Sequence, residues 1–233
     1  MQIALFTHEG LLFAFRWFHF LGGITWIGLL YYFNFVQGPF FAETEANVKS
    51  AATQKLVPRA LWWFRWGAML TFLTGVAILM TRGHTDGMEI FQTSWGIAIL
   101  TGGLFGTLMW ANVWFVIWPN QKVVIQNAIT TASGGAANPA AAGCAARAGV
   151  ASRTNVLFSI PMLFMRGAAS HLTVQVGEES KICGYFIAIG ILAVLLEINA
   201  LKGKTGPMTT VKGVIHCGIL LTAVVYALME FML

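Results

Sequence analysis

Charged residues are scarce in this sequence of 233 residues, because Asp, Glu, Lys and Arg together make up 10%. About a quarter of the residues are charged in typical soluble domains, so this composition excludes an ordinary soluble protein. Hydrophobic residues reach 57%, and apolar runs of about 20 residues, long enough to cross a bilayer as helices, recur along the chain. The sequence therefore predicts an integral membrane protein.

Acidic residues are fewer than basic ones, nine against fourteen, which leaves a formal net charge of +5. The basic residues fall mostly in short connections between apolar runs, where they determine how a membrane protein is oriented. We therefore interpret the charge as an orientation signal. We expect the lipid bilayer, and not nucleic acid, as a partner.

Cysteine is also rare. Cys144, Cys183 and Cys217 form no CxxC pair and no CxxCH haem-attachment motif. We interpret Cys183 and Cys217 as small apolar helix residues, because free cysteine is often buried in this way.

The apolar runs predict an all-α fold, a polytopic transmembrane helical bundle of about six spanning helices in a single membrane domain, residues 1–233. The spans lie at about 11–36, 59–80, 94–118, 155–176, 182–201 and 211–233. The first run is too long for the core of a signal peptide, so we expect it to be retained as a helix. The Ala/Gly-rich segment of about 120–153 predicts a flexible cytoplasmic loop, in which 140–150 could form a short helix.

Lys and Arg are concentrated in the connections after the first, third and fifth spans. These basic residues are Lys49, Lys55, Arg59, Lys122, Arg147, Arg153, Lys202, Lys204 and Lys212. The other two connections hold Arg82 and Lys181 beside four acidic residues. The positive-inside rule therefore predicts that both termini lie in the periplasm and that the protein is a multi-pass protein of a bacterial inner membrane.

Two histidines, His19 and His171, lie inside predicted spans that run in opposite directions. At 1.5 Å per residue, His19 lies about 12 Å and His171 roughly 7 Å below the outer ends of their spans, which is one depth within boundary errors. An ionisable side chain in hydrocarbon usually faces a partner, an ion or a cofactor. Two imidazoles at one level suit axial ligation, so we predict that they bind one haem b near the periplasmic side.

Residues around His19 fit this hypothesis. One turn above it, Arg16 suits an anionic haem propionate through its fork geometry. The other predicted pocket residues are aromatic walls or glycines that leave room for a macrocycle. They are Trp17, Gly22, Gly23 and Trp26. The alternative is that Arg16 reaches the headgroup level and that His19 bonds to a neighbouring helix.

Other intramembrane polar groups give weaker signals. His216 belongs to the inner leaflet, where no histidine of the third or fifth span pairs with it, so a second haem is not expected. Arg166 and Glu197 lie at different depths, although Arg166 could reach the carboxylate through water. Four asparagines toward the inner ends are expected to form hydrogen bonds between helices. They are Asn34, Asn112, Asn155 and Asn199.

Three further stretches carry a family signal. They are residues 16–37 (RWFHFLGGITWIGLLYYFNFVQ), 111–122 (ANVWFVIWPNQK) and 152–171 (SRTNVLFSIPMLFMRGAASH). These stretches resemble the membrane domain of bacterial membrane-bound urate hydroxylases, the urate oxidase N-terminal-domain family. The resemblance implies a multi-helix membrane domain that does redox work coupled to a c-type cytochrome, and both histidines fall within the matched stretches.

Members of that family often carry a C-terminal c-type cytochrome domain, which would receive the electrons of the substrate. This sequence is shorter than the full membrane domain of the family and has no CxxCH motif. We therefore expect the cytochrome to be a separate partner or another subunit of a larger complex.

We expect the protein to be a b-type cytochrome-like subunit of a respiratory or oxidase complex, with other membrane subunits and a c-type cytochrome as partners. One alternative is a urate hydroxylase membrane domain that passes electrons to a separate cytochrome c. Another is a non-catalytic structural subunit. For hydroxylation, no clear general base or urate-binding set stands out beyond Arg16, Arg166 and the histidines. Copper handling is least favoured, because Met and His show no repeated ligand motif.

Overall fold

The computed structural model describes residues 3–177 and 181–233, and within these ranges every regular element is helical. This confirms the predicted all-α class. The long helices in those ranges are α1 (His8–Glu43), α2 (Ala46–Lys55), α3 (Val57–Thr85), α4 (Ser94–Ala132), α5 (Ala141–His171), α6 (Ile182–Lys202) and α7 (Val211–Met232). Short 3-10 turns lie at Ala4–Phe6, Met88–Gln92 and Gly206–Thr209.

Five of these helices are long and apolar enough to cross a membrane, as judged by length and composition: α1, α3, α4, α6 and α7. The chain is thus a polytopic membrane protein. The fourth predicted span falls within α5, which is less apolar than the five. Thirteen residues of α5 are buried, among them Asn155 and Ser159. A helix enclosed by its neighbours meets protein and not lipid, so its polar residues can be satisfied inside the bundle. The count of six spans and the periplasmic termini stay predictions.

α1 and α4 each contain a π-helical turn, Tyr32–Gln37 and Asn112–Ile117. A proline follows two residues after each turn, Pro39 and Pro119. Proline has no N–H and its ring clashes with the carbonyl four residues earlier, which normally kinks or ends a helix. The wider turn accommodates the ring, so both helices continue beyond the ends that these prolines predicted.

The predicted flexible loop of about 120–153 was wrong over most of its length. α4 continues to Ala132 and α5 begins at Ala141, which leaves a connection of residues 133–140. Alanine has the highest intrinsic helix propensity, so an Ala-rich segment becomes helical once it can pack. Two contacts fasten the helices here: Arg147 Nε donates to Asn120 Oδ1 at 3.2 Å, and the backbone N–H of Asn138 donates to Asn127 Oδ1 at 2.7 Å.

α5 lies at the centre of the bundle, in contact with α1, α4, α6 and α7. Its Phe158 ring lies 5.3 Å from that of Phe105 of α4, and both are fully buried. On the far side of α4, Tyr185 of α6 shares a hydrogen bond of 2.9 Å with Thr101. We call the end of the bundle formed by residues 38–59, 119–142 and 202–212 the basic end.

The most extensive helix pair is α1 with α3, and it depends on two glycines. A Cβ atom on Gly22 would lie 2.8 Å from Thr71 Oγ1 and 3.1 Å from the Gly67 carbonyl oxygen. A Cβ atom on Gly67 would lie 3.1 Å from the backbone N of Trp26. The two backbones therefore approach so closely that only glycine fits, as is common where membrane helices cross.

Gly22→Ala is expected to lower the free energy of unfolding by about 1–3 kcal/mol, because the added methyl group overpacks the crossing. Gly28→Ala on the same helix is the matched control, since a Cβ there would meet nothing within 4 Å. That variant should be neutral or stabilised by up to about 1 kcal/mol through helix propensity. Thermal unfolding of both variants in detergent measures the difference, and equal midpoints would contradict the crossing.

Candidate functional site

His19 lies half-buried on α1, where its ring packs against α3. Its Nδ1 atom lies 3.2 Å from Thr74 Oγ1, and a Cβ atom on Gly75 would lie 3.2 Å from its Cε1 atom. The Thr74 hydroxyl donates to the Leu70 carbonyl at 2.6 Å, so its oxygen is left to accept from the ring. This assigns the proton to Nδ1 and leaves the Nε2 lone pair unprotonated.

Hydrogen bonds between α1 and α5 set the depth of His19. Asn34 Nδ2 donates to Ser152 Oγ at 2.8 Å, and the hydroxyl of Tyr31 lies 2.9 Å from that of Ser159. These pairs show that the two helices run antiparallel. Counting back along α1 to His19, and forward by the same number of residues along α5, reaches residues 167–171. His19 is therefore within about one helical turn of the level of His171, which agrees with the predicted common depth.

His171 is the last residue of α5 and is exposed. Its side chain has no hydrogen bond or ion pair with the residues that the structure describes, and none joins it to His19. Arg166, also exposed, donates from Nη1 to Ser170 Oγ at 3.1 Å and is close enough for its charge to act on the His19 ring. Arg16 is exposed on α1. This half of the bundle thus combines two imidazoles with two guanidinium groups.

Two of the predicted pocket residues have a different role. Gly22 and Trp26 were expected to give room and a wall to a macrocycle, but both are buried in the crossing with α3. This part of the prediction was wrong, because close helix packing already fills the space beside Gly22. Gly23 borders open space, since a Cβ there would meet only Thr71 Oγ1 at 4.0 Å. Trp17 is 51% exposed and contacts Phe18, with ring centroids 5.1 Å apart.

A second polar cluster lies in the interior, and the sequence did not predict its membership. Asn112, in the π-helical turn of α4, donates from Nδ2 to Asn155 Oδ1 at 3.0 Å and to Glu197 Oε2 at 3.1 Å. Asn155 Nδ2 donates to the Met109 carbonyl at 3.0 Å. The interhelical role expected for Asn112 and Asn155 is therefore present. Glu197 bonds to Asn112, whereas Arg166 had been considered as its partner.

The same cluster contains one unsatisfied atom. Asn112 is fully buried, and its Oδ1 has no hydrogen-bond partner. Within the part of the chain that the structure describes, no group of three or more His, Cys, Asp or Glu side chains converges to hold a metal ion. We therefore interpret the asparagines and Glu197 as an interhelical network that joins α4, α5 and α6.

A cavity of about 240 Å³ lies between α1, α3, α4 and α5 toward the basic end. Its polar lining residues are Asn34, Gln37, Gln121, Ser152 and Arg153. Gln37 Oε1 and Arg153 Nη1 are both buried and have no hydrogen-bond partner. The sequence predicted Arg153 only as an orientation signal, because the helical backbone that places it beside Gln37 was not foreseen.

The helical bundle and its internal polar side chains define a polytopic α-helical membrane protein. The family model described as urate oxidase N-terminal matches residues 87–228, which is more than half of the chain. The chain therefore belongs to the urate oxidase N-terminal family, which confirms the resemblance. The match includes His171 and two of the three resembling stretches, whereas the stretch with His19 precedes it. No curated protein and no solved structure matches the chain.

Asn112→Leu is expected to destabilise the bundle by about 1–3 kcal/mol, because it leaves the Asn155 and Glu197 oxygens buried without their shared donor. Asn199→Leu is the matched control: its amide bonds the Lys204 carbonyl in an exposed connection, and its loss should cost less. Unfolding in detergent measures both. The interhelical network would be refuted by an Asn112→Leu variant as stable as the parent chain.

Proposed function

We propose that this chain is the membrane subunit of an oxidoreductase of the urate hydroxylase type and that it carries one haem b. The family match supports the oxidoreductase class. The observation that carries the cofactor part is the hydrogen bond between His19 and Thr74. We further propose a bacterial inner membrane as the location, and a c-type cytochrome and other membrane subunits as partners.

His19 has the protonation state that an axial ligand needs. Imidazoles that ligate a metal usually donate their other ring N–H to a fixed acceptor, which sets the tautomer and the ring orientation. Thr74 is such an acceptor, because its own proton is engaged by the Leu70 carbonyl. Gly75 gives the ring its space, since any larger residue there would press on Cε1.

His171 is the second axial ligand in this proposal. Its level matches that of His19, and its ring can turn toward an iron without losing any hydrogen bond to the described residues. Both ligands belong to neighbouring antiparallel helices, α1 and α5, so one macrocycle between them would also fasten these helices. Haem, when bound, supplies one-electron transfer, and burial and hydrogen bonding by the protein tune its potential.

Arg16 and Arg166 are proposed to bind the haem propionates. Both are exposed within apolar surroundings, and neither has an ion pair with a carboxylate of the described residues. A guanidinium group at membrane depth is costly unless an anion or a polar interface meets it. Two propionates would neutralise both and would orient the macrocycle edge toward the end of the bundle away from the basic end.

A reduced-minus-oxidised absorption spectrum of the purified full chain tests the cofactor. We expect an α-band of low-spin haem b, and we expect His19→Ala to abolish it. Thr74→Val removes the acceptor for Nδ1–H and should weaken haem affinity by about 10–100-fold, the usual effect of losing such a partner. His171→Ala should also remove or shift the band, because the iron loses one axial imidazole.

His216→Ala is the control, since His216 is an exposed histidine of α7 that begins near the basic end. It should leave the spectrum unchanged. A folded chain with no α-band would overturn the cofactor proposal, and so would a band that survives in the His19→Ala variant.

Hydroxylation of urate is the second candidate, and the family match favours it. If water supplies the oxygen, the reaction releases two electrons and two protons, and two molecules of ferric cytochrome c would accept the electrons. We expect membranes that contain the chain to reduce added cytochrome c when urate is supplied, with a rate at least about tenfold above membranes without the chain. Equal rates would refute this activity.

A structural role is the remaining alternative. It would be supported if the chain copurifies with a large membrane complex while haem and metal analyses of the chain itself stay negative.

A further inference from the structure

The cavity toward the basic end holds one positive charge that nothing on the protein neutralises. Arg153 of α5 is the one ionisable residue among its fourteen lining residues. Its Nη1 atom is buried and without a hydrogen-bond partner. Among the described residues the one ion pair joins Arg82 to Asp86, which belong to α3 and the connection after it. A guanidinium so placed favours an anion as its partner.

The amide groups of the cavity call for a hydrogen-bond donor as well. Both N–H groups of Asn34 are engaged, by the Leu30 carbonyl at 2.9 Å and by Ser152 Oγ at 2.8 Å, which leaves Asn34 Oδ1 as an acceptor. Gln37 Oε1 is a buried acceptor with no partner. A buried unpaired acceptor costs about 1–3 kcal/mol, so a donor from a ligand or from water is expected beside it.

The remaining walls of the cavity are apolar. Val57, Leu61, Phe64 and Ile117 line it from α3 and α4, while Ala145, Ala148 and Gly149 of α5 give a face without bulky side chains. Phe33 and Phe64 meet edge to face, with ring centroids 5.5 Å apart. Apolar walls with a few convergent polar groups are typical of small-molecule sites.

We propose that this cavity binds a small organic anion that also carries N–H or O–H donors. The anionic group pairs with Arg153, a donor meets Gln37 Oε1, and an apolar or aromatic body lies against Phe64 and the small residues of α5. A phosphodiester lipid headgroup is a poorer match, because its phosphate would satisfy Arg153 but would leave the buried acceptor of Gln37 without a donor.

The site is separate from the histidines. Asn34 lies 15 residues beyond His19 along α1, or about 22 Å at 1.5 Å per residue. The inference rests on the proposed function only in the choice of urate as first probe, since urate is an anion with several N–H groups. The site would stand with a different anion of that class, and with or without a haem.

Calorimetric titration of the full chain in phosphatidylcholine nanodiscs tests the proposal, with urate and orotate as probes. At least one of them should bind with a saturable signal below about 1 mM. Arg153→Gln should weaken that binding at least about tenfold, the loss expected for a charge-assisted hydrogen bond. Gln37→Leu should weaken it too, whereas Arg147→Gln, an exposed arginine on the same helix, should not.

Each other outcome overturns the proposal. It fails if neither probe binds, if Arg153→Gln and Arg147→Gln behave alike, or if benzoate, an anion without N–H groups, binds as tightly as the best probe. It also fails if only inorganic phosphate or phosphatidylglycerol gives an Arg153-dependent signal, which would assign a lipid headgroup. The haem spectrum of Arg153→Gln, expected unchanged, separates failure of this site from failure of the redox proposal.

Discussion

Polar side chains inside this bundle must find their partners within the protein, and α5 supplies most of them. Ser152 and Ser159 bond to side chains of α1, and Asn155 bonds to Asn112 and to the Met109 carbonyl of α4. Just beyond its end, the backbone N–H of Val174 donates to Ser94 Oγ at 2.9 Å. Unsatisfied polar groups are costly away from water, so these bonds fix how far each helix is shifted along its neighbour. The level of His19 beside residues 167–171 is a consequence of that register.

The prolines explain how α1 and α4 reach α5 without breaking. Each helix widens into a π-helical turn just before its proline, and each wide turn contains a buried asparagine, Asn34 or Asn112, that reaches across to α5. The same turn of α1 supplies Gln37 to the cavity. Local accommodation of proline and the placement of functional side chains are therefore one structural event, as is frequent for π-helical turns.

Composition and apolar run length were sufficient to predict the all-α membrane class, because a bilayer demands long apolar helices whatever else a protein does. The depth of His19 followed from counting along straight helices. Gly22 and Trp26 could not be assigned, because a glycine that lets backbones touch and a glycine that borders a pocket look the same in a sequence. The hydrogen bond from Asn112 to Glu197 depended on a wide turn and on the neighbour of α6, neither of which the sequence shows. The segment 120–153 failed for a related reason: its composition suits a flexible linker as well as a packed Ala-rich helix.

The redox proposal depends on the Nε2 atoms of His19 and His171 ligating one iron. Pulsed electron paramagnetic resonance of the oxidised, purified chain, with its histidines labelled by the heavy nitrogen isotope, tests that geometry most directly. The account predicts a low-spin ferric signal coupled to two imidazole nitrogens, with one coupling lost when His171 is replaced by Ala. A ferric signal without histidine coupling, or a folded chain that gives no iron signal, would contradict it.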